Sequence, residues 1–178
     1  MHSALIAKLL LELLVVLAAF LDLRSRRIPN WLTATGAIVG LSINGYQGGW
    51  NGLKTGLLGM LLALLVYGLL FAIRAMGGGD VKLMAAVGAF TGPEAWLYIF
   101  AITAVVAGAV AVVTLLTRGG LLRALSNVGA ILGSLARFRA PHHDHPDLDV
   151  AHPTARTMPH GASIAVGVLI YIVWVRVG

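Results

Sequence analysis

The chain has no cysteine and few charged residues. Only 11% of its 178 residues are Asp, Glu, Lys or Arg, whereas 58% are hydrophobic. The absence of cysteine excludes disulfide bonds, cysteine-ligated zinc and thiol catalysis. The shortage of charge excludes an ordinary soluble domain, because such a domain needs a far more polar surface. We therefore expect one integral-membrane domain, residues 1–178, with the lipid bilayer as its surroundings.

Interleaved basic and aromatic residues, the usual signature of a nucleic-acid surface, are also missing. The net charge of +6 alone would suit a nucleic acid, but without that interleaving we expect no such partner. In a membrane protein the positions of Lys and Arg carry more information than their sum, because these residues mark the cytosolic side.

Long apolar runs predict an all-α fold, a polytopic membrane helix bundle. A helix needs roughly 20 apolar residues to cross the hydrocarbon core. About six transmembrane helices are predicted, at residues 3–21, 31–46, 53–73, 81–90, 95–116 and 161–175. The fourth is too short to span alone and is broken at 91–94, so whether it crosses the membrane stays open. The first lacks a signal-peptide pattern, and we expect it to be retained.

Two further segments complete the chain. Residues 119–139 have apolar positions at helical spacing, which predicts an amphipathic helix at the membrane interface. Residues 140–160 form a predicted polar, His-rich loop. If residues 22–30 are cytosolic, the N-terminus is outside, and ten basic residues share the cytosolic side. They are Arg24, Arg26, Arg27, Arg74, Lys82, Arg118, Arg123, Arg137, Arg139 and Arg156.

Three of the seven carboxylates lie in or beside predicted membrane helices, namely Glu12, Asp22 and Asp80. A charge at a helix centre costs at least ~2.5–3.5 kcal/mol, so such residues usually serve a function or are paired. The predicted topology puts Asp22 and Asp80 at the cytosolic membrane border. Two facing carboxylates share a proton, so one can accept a proton from water while the other donates one to a peptide carbonyl. This is aspartic-protease chemistry, for which we expect no cofactor.

Three consecutive glycines, Gly77, Gly78 and Gly79, precede Asp80. They are expected to allow positive φ and close backbone approach, so that an extended peptide could lie beside Asp80. The alternative is a flexible turn in which Asp80 caps the helix that begins at Val81.

Three stretches resemble the motifs of one family in the order in which that family has them. Residues 76–84, Met-Gly-Gly-Gly-Asp-Val-Lys-Leu-Met, resemble the G-x-G-D motif of membrane aspartic proteases in its prepilin-peptidase form. Residues 22–30, Asp-Leu-Arg-Ser-Arg-Arg-Ile-Pro-Asn, are similar to the first-aspartate motif of the same family. Residues 158–165, Met-Pro-His-Gly-Ala-Ser-Ile-Ala, are similar to its last motif, a Pro-x-Gly that enters the final span.

The resemblance to prepilin leader peptidases implies an enzyme of the bacterial inner membrane. It would cut the basic leader from type IV prepilins or pseudopilins at the cytosolic face, with Asp22 and Asp80 as the catalytic pair. The matching motif residues are expected to support the motifs or bind substrate; they are Gly77, Gly78, Gly79, Pro29, Asn30 and Lys82. For Lys82 we favour the simpler interpretation of an interface anchor.

The missing cysteines also bear on the subfamily. Longer family members carry an N-terminal segment with two Cys-x-x-Cys pairs and also methylate the trimmed pilin. This chain has no cysteine, so we expect no methyltransferase activity. The short form resembles the peptidases of tight-adherence (Flp-type) pilus systems.

Other interpretations remain at this stage. A small transporter or channel could use Asp22 and Asp80 as ion or proton sites. His142, His143 and His145 could hold a divalent metal, although we expect a solvated loop and no metal site. Trp31, Trp50, Trp96 and Trp174 are predicted to form an aromatic belt. Gly56, Gly59, Gly108 and Ala111 are expected to let helices approach closely.

Overall fold

The computed structural model describes residues 2–73, 76–118 and 160–177, and in these ranges it contains helices and short connections but no strand. The helices are α1 (His2–Ser25), α2 (Asn30–Ala72), α3 (Gly78–Arg118) and α4 (His160–Val177). The all-α prediction is confirmed for this part of the chain. The predicted amphipathic segment 119–139 lies outside the described residues, as do His142, His143 and His145 in the predicted loop.

The two longest helices are each interrupted at a single glycine. Gly49 in α2 has φ 56° and ψ −138°, and Gly92 in α3 has φ 74° and ψ 175°. Glycine tolerates positive φ because it has no Cβ. Pro93 follows Gly92 and can begin the next helical segment without losing a required hydrogen bond. The predicted gap between the spans 31–46 and 53–73 and the predicted break at 91–94 are therefore correctly located, but the non-helical backbone is confined to one residue in each.

The chain folds back on itself at both glycines. Within α2, a Cβ at Gly56 would lie 3.1 Å from Cδ2 of Leu41. Within α3, the indole Nε1 of Trp96 donates a hydrogen bond to the carbonyl oxygen of Met84 at 3.2 Å. Contacts of this kind between residues so far apart in one helix require the two segments to pack side by side.

The pairing of α2 with α3 is the most extensive in the described bundle, and small residues make it close. Gly59 and Gly88 touch through their backbones, because a Cβ on either glycine would overlap the carbonyl oxygen of the other. The prediction of close approach is thus confirmed for Gly56 and Gly59. For Gly108 it stays a prediction, since an added Cβ there would meet no described atom within 4 Å.

The aromatic residues divide between the core and the surface. Trp31, Trp50 and Trp174 are 63%, 67% and 58% exposed, whereas Trp96 is fully buried. The ring of Trp96 stacks on Phe100 at a centroid distance of 5.4 Å. The prediction that Trp96 belongs to an aromatic belt is therefore wrong, because α3 folds back and covers that residue.

Two described helices are long and apolar enough to cross a membrane, Asn30–Ala72 and Gly78–Thr117, and His160–Val175 is a shorter apolar helix. Large apolar side chains such as Ile38 (65% exposed) and Val105 (72% exposed) point away from the bundle. Surfaces of this kind suit contact with lipid rather than with water.

Candidate active site

The first candidate aspartate lies inside α1 and not beyond its end, where the predicted span 3–21 had put it. The prediction that α1 ends at Leu21 is wrong, since the helix continues to Ser25. Arg26 then adopts φ 51°, and its backbone N–H donates to the carbonyl oxygen of Asp22 at 2.7 Å. A left-handed conformation costs a non-glycine residue ~1–2 kcal/mol. The left-handed conformation of Arg26 ends the helix one turn after Asp22. The side chain of Asp22 is buried, with 8% exposed.

Pro29 and Asn30 form the start of α2. Pro29 is the N-cap residue, with φ −63° and ψ 138°, and its carbonyl oxygen accepts from the backbone N–H of Leu32 at 3.2 Å. The proline ring fixes φ near this value, so the helix boundary is set locally. Asn30 is the first helical residue, and its side chain accepts a hydrogen bond from Nζ of Lys82 at 2.9 Å.

The second candidate aspartate lies in the first turn of α3. The carbonyl oxygen of Gly77 accepts from the N–H groups of Asp80 (3.2 Å) and Val81 (3.5 Å). The Asp80 carboxylate in turn accepts a hydrogen bond from the backbone of Gly77. This reciprocal pair resembles a capping box, with Gly77 as the cap. The alternative in which Asp80 itself caps a helix beginning at Val81 is therefore wrong.

The glycine run contributes close packing and not unusual backbone angles. Among described glycines only Gly49 and Gly92 have positive φ, so the expectation of positive φ at Gly77, Gly78 or Gly79 is wrong. The expected close approach is present at Gly79, where an added Cβ would lie 3.3 Å from Cβ of Ile28. The start of α3 thereby packs against the connection between α1 and α2.

A cavity of about 450 Å³ joins the two aspartate motifs. It is lined by Asp22, Arg26, Arg27, Ile28, Pro29, Asn30, Gly77, Gly78, Gly79 and Asp80. Asp22 and Asp80 are near enough to interact electrostatically. Of the predicted site residues in this part of the chain, only Lys82 is absent from the lining, and it contacts the lining residue Asn30.

The third motif contacts Asp22, which lines this cavity. The backbone N–H of Gly161 donates a buried hydrogen bond to Oδ2 of Asp22 at 2.9 Å. His160, predicted to end the polar loop, is instead the first residue of α4. Gly161 was not among the predicted site residues, although its Pro-x-Gly motif was a signal that could have found it. Arg26 and Arg27 were assigned only to the cytosolic side, and no sequence signal placed them on the cavity.

This arrangement presents two carboxylates from different helices to one cavity, each accepting a backbone N–H. Two such groups do not ionise together easily, so the pair can hold one proton between them. An ionised and a protonated carboxyl side by side can act as a base and an acid on one water and one carbonyl group.

Comparison with known proteins gives one match. The model of the type IV leader peptidase family matches residues 9–112. This range includes both aspartate motifs of the cavity and ends before the third motif. No curated protein and no solved structure matches the chain.

Proposed function

Because the chain belongs to the type IV leader peptidase family, we propose that it is an aspartic endopeptidase with Asp22 and Asp80 as its catalytic pair. Membership confirms the resemblance based on the motifs and indicates a protease. The long apolar helices agree with a membrane protein. The observation that carries the proposal is that Asp22 and Asp80, far apart in sequence and on different helices, line one cavity.

The reaction is hydrolysis of one peptide bond in the substrate. The ionised member of the pair takes a proton from water, and the resulting hydroxide attacks the carbonyl carbon. The protonated member donates its proton to the carbonyl oxygen, giving a tetrahedral intermediate. Collapse of this intermediate breaks the C–N bond and returns a proton to the leaving amine. The pair titrates as a unit, so its two roles belong to the pair.

The proposed substrate is a type IV prepilin or pseudopilin of the Flp type, cut behind its basic leader. Its hydrophobic helix would remain in the bilayer while the leader reaches the cavity. Six spans and an N-terminus outside would put the cavity at the cytosolic face of the bacterial inner membrane. The reversals at Gly49 and Gly92 and the basic residues Arg26 and Arg27 on the cavity support this topology. We propose no methyltransferase step.

The test is co-expression with a Flp-type prepilin, followed by measurement of the pilin mass. Wild type should lower the mass by that of the leader, and Asp22→Asn and Asp80→Asn should each abolish this change. The isosteric amide preserves shape but cannot transfer the proton. Glu94→Gln is the matched control because Glu94 does not line the cavity, and it should cleave normally.

Each other outcome has a defined meaning. Cleavage by Asp22→Asn or Asp80→Asn at normal protein abundance would overturn the role of that residue. No cleavage by wild type, together with ion flux that depends on both aspartates, would favour the transporter alternative. An added methyl mass on the trimmed pilin would overturn the expectation that the protein has no methyltransferase activity.

A further inference from the structure

Among the described residues, the polar contact at the site with the largest sequence separation joins the start of α4 to Asp22. Gly161 and Asp22 are 139 residues apart, and their hydrogen bond is buried. Amide N–H groups in the first turn of a helix have no partner within the helix. The Gly161 N–H therefore satisfies its own bonding requirement by holding the carboxylate.

The same contact leaves no room for a side chain at position 161. An added Cβ would lie 2.9 Å from Oδ2, 3.1 Å from Cβ and 3.2 Å from Cγ of Asp22. Asp22 is itself fixed in α1, and α1 packs mainly against α4. A larger residue at 161 would have to displace the carboxylate or separate the two helices.

We infer that Gly161 is a positioning residue for the proposed peptidase reaction, holding Oδ2 of Asp22 through its backbone N–H and leaving Oδ1 to act on water. The inference rests on the proposed function. An N–H donor stabilises the ionised form of a carboxyl, and the positive end of the α4 dipole acts in the same direction. The third motif would thus act through Asp22 without touching substrate.

A variant used to measure a pH–rate profile must leave the other charged side chains near Asp22 unchanged. Asp80, Arg26 and Arg27 line the same cavity, and His160 interacts electrostatically with Asp22. A change confined to the amide of residue 161 alters none of these groups. Its effect on the reaction can therefore be attributed to the aspartate pair and the N–H donor of residue 161.

The experiment compares cleavage kinetics of the full chain in detergent for wild type, three variants and one control substitution. In the first, an ester replaces the amide at position 161 by incorporation of glycolate, which deletes the N–H and adds no side chain. The second is Gly161→Ala, with Gly108→Ala as its control because a Cβ at position 108 would meet no described atom within 4 Å. The third is an ester at position 162, which alters the same helical turn but not the N–H that reaches Asp22.

Loss of a hydrogen bond to a charged group should lower kcat about 10- to 100-fold in the 161 ester. KM should be unchanged, and the acidic limb of the pH–rate profile should move to higher pH because the ionised form of the aspartate pair has lost a donor. Gly161→Ala should lose at least as much activity, while Gly108→Ala and the 162 ester keep it.

Wild-type kcat and pH profile in the 161 ester would overturn the role of Gly161 and leave the proposed function intact. Equal loss in the 161 and 162 esters would also overturn it, because the effect would then be structural. No cleavage by wild type would overturn the proposed function itself, and the inference with it.

Discussion

Nζ of Lys82 donates a hydrogen bond to Oδ1 of Asn30 at 2.9 Å. Asn30 is the first residue of α2 and lines the cavity, while Lys82 lies in α3 shortly after Asp80. The bond therefore ties the starts of two helices that carry different motifs. The sequence favoured an interface anchor for Lys82, and the structure gives its ammonium group a specific partner at the site.

Lys82→Met should weaken catalysis without abolishing it. The change keeps a long unbranched side chain but removes the donor, so the start of α3 is less firmly fixed against α2. Such a bond contributes about 0.5–1.5 kcal/mol, which corresponds to a two- to tenfold lower cleavage rate. The measurement is the initial rate of prepilin cleavage at equal enzyme concentration.

Lys54→Met is the matched control, since Nζ of Lys54 lies 5.6 Å from the ring of Trp50 and Lys54 does not line the cavity. It should cleave at the wild-type rate. Equal rates for wild type and Lys82→Met would show that the bond to Asn30 plays no part in positioning the site.

The topology predicted from the sequence puts Asp22 and Asp80 at the same membrane border. Alternating apolar runs require the chain to cross back and forth, so polar residues that are two spans apart, such as Asp22 after the first span and Asp80 after the third, return to the same border. The glycine breaks near Gly49 and Gly92 were also visible, because a Gly-rich turn and a Gly-Pro pair leave few other conformations.

Long-range packing could not be predicted in the same way. The bond between Gly161 and Asp22 depends on how α1 and α4 pack, and no local pattern encodes that register. Trp96 resembled a belt residue because it is near a predicted span end, but exposure is decided by what packs over it. Positive φ at Gly77–Gly79 was unnecessary, because the helix already begins at Gly78.

Gly59→Ala should destabilise the bundle. An added Cβ would overlap the carbonyl oxygen of Gly88 and lie 2.7 Å from the carbonyl carbon of Gly92. Both are backbone atoms that cannot rotate away, so α2 and α3 would have to separate. Overpacking of this kind costs about 1–3 kcal/mol, and thermal unfolding in detergent measures it.

Gly68→Ala is the control for this substitution, because a Cβ at position 68 meets no described atom within 4 Å. Its melting temperature should equal or exceed that of wild type, since alanine favours a helix over glycine. If Gly59→Ala had the same melting temperature as Gly68→Ala, that result would contradict the close packing of α2 on α3.

Trp96→Phe should also lower stability, although an aromatic ring is retained. Trp96 is fully buried, and its N–H bonds to the carbonyl oxygen of Met84 at 3.2 Å. Phenylalanine removes the donor and leaves part of the indole volume empty, at a cost of about 1–3 kcal/mol. Trp31→Phe is the control, because Trp31 is 63% exposed. If Trp96→Phe and Trp31→Phe have the same melting temperature, Trp96 does not link the two segments of α3.

Thr103→Val should stabilise the protein, in contrast to the preceding substitutions. Thr103 is 1% exposed, and its Oγ1 has no hydrogen-bond partner among the described residues. A buried hydroxyl without a partner costs about 1–3 kcal/mol, which an apolar side chain of similar shape avoids. The melting temperature in detergent should therefore rise.

The control for this substitution is Thr114→Val. The hydroxyl of Thr114 is exposed and donates to the carbonyl oxygen of Val110 at 2.7 Å, so its loss should leave the melting temperature nearly unchanged. Thr103 packs directly on Gly167, where an added Cβ would lie 3.1 Å from Cβ of Thr103. If Thr103→Val melted below wild type while Thr114→Val did not, the hydroxyl of Thr103 would be stabilising the contact between α3 and α4.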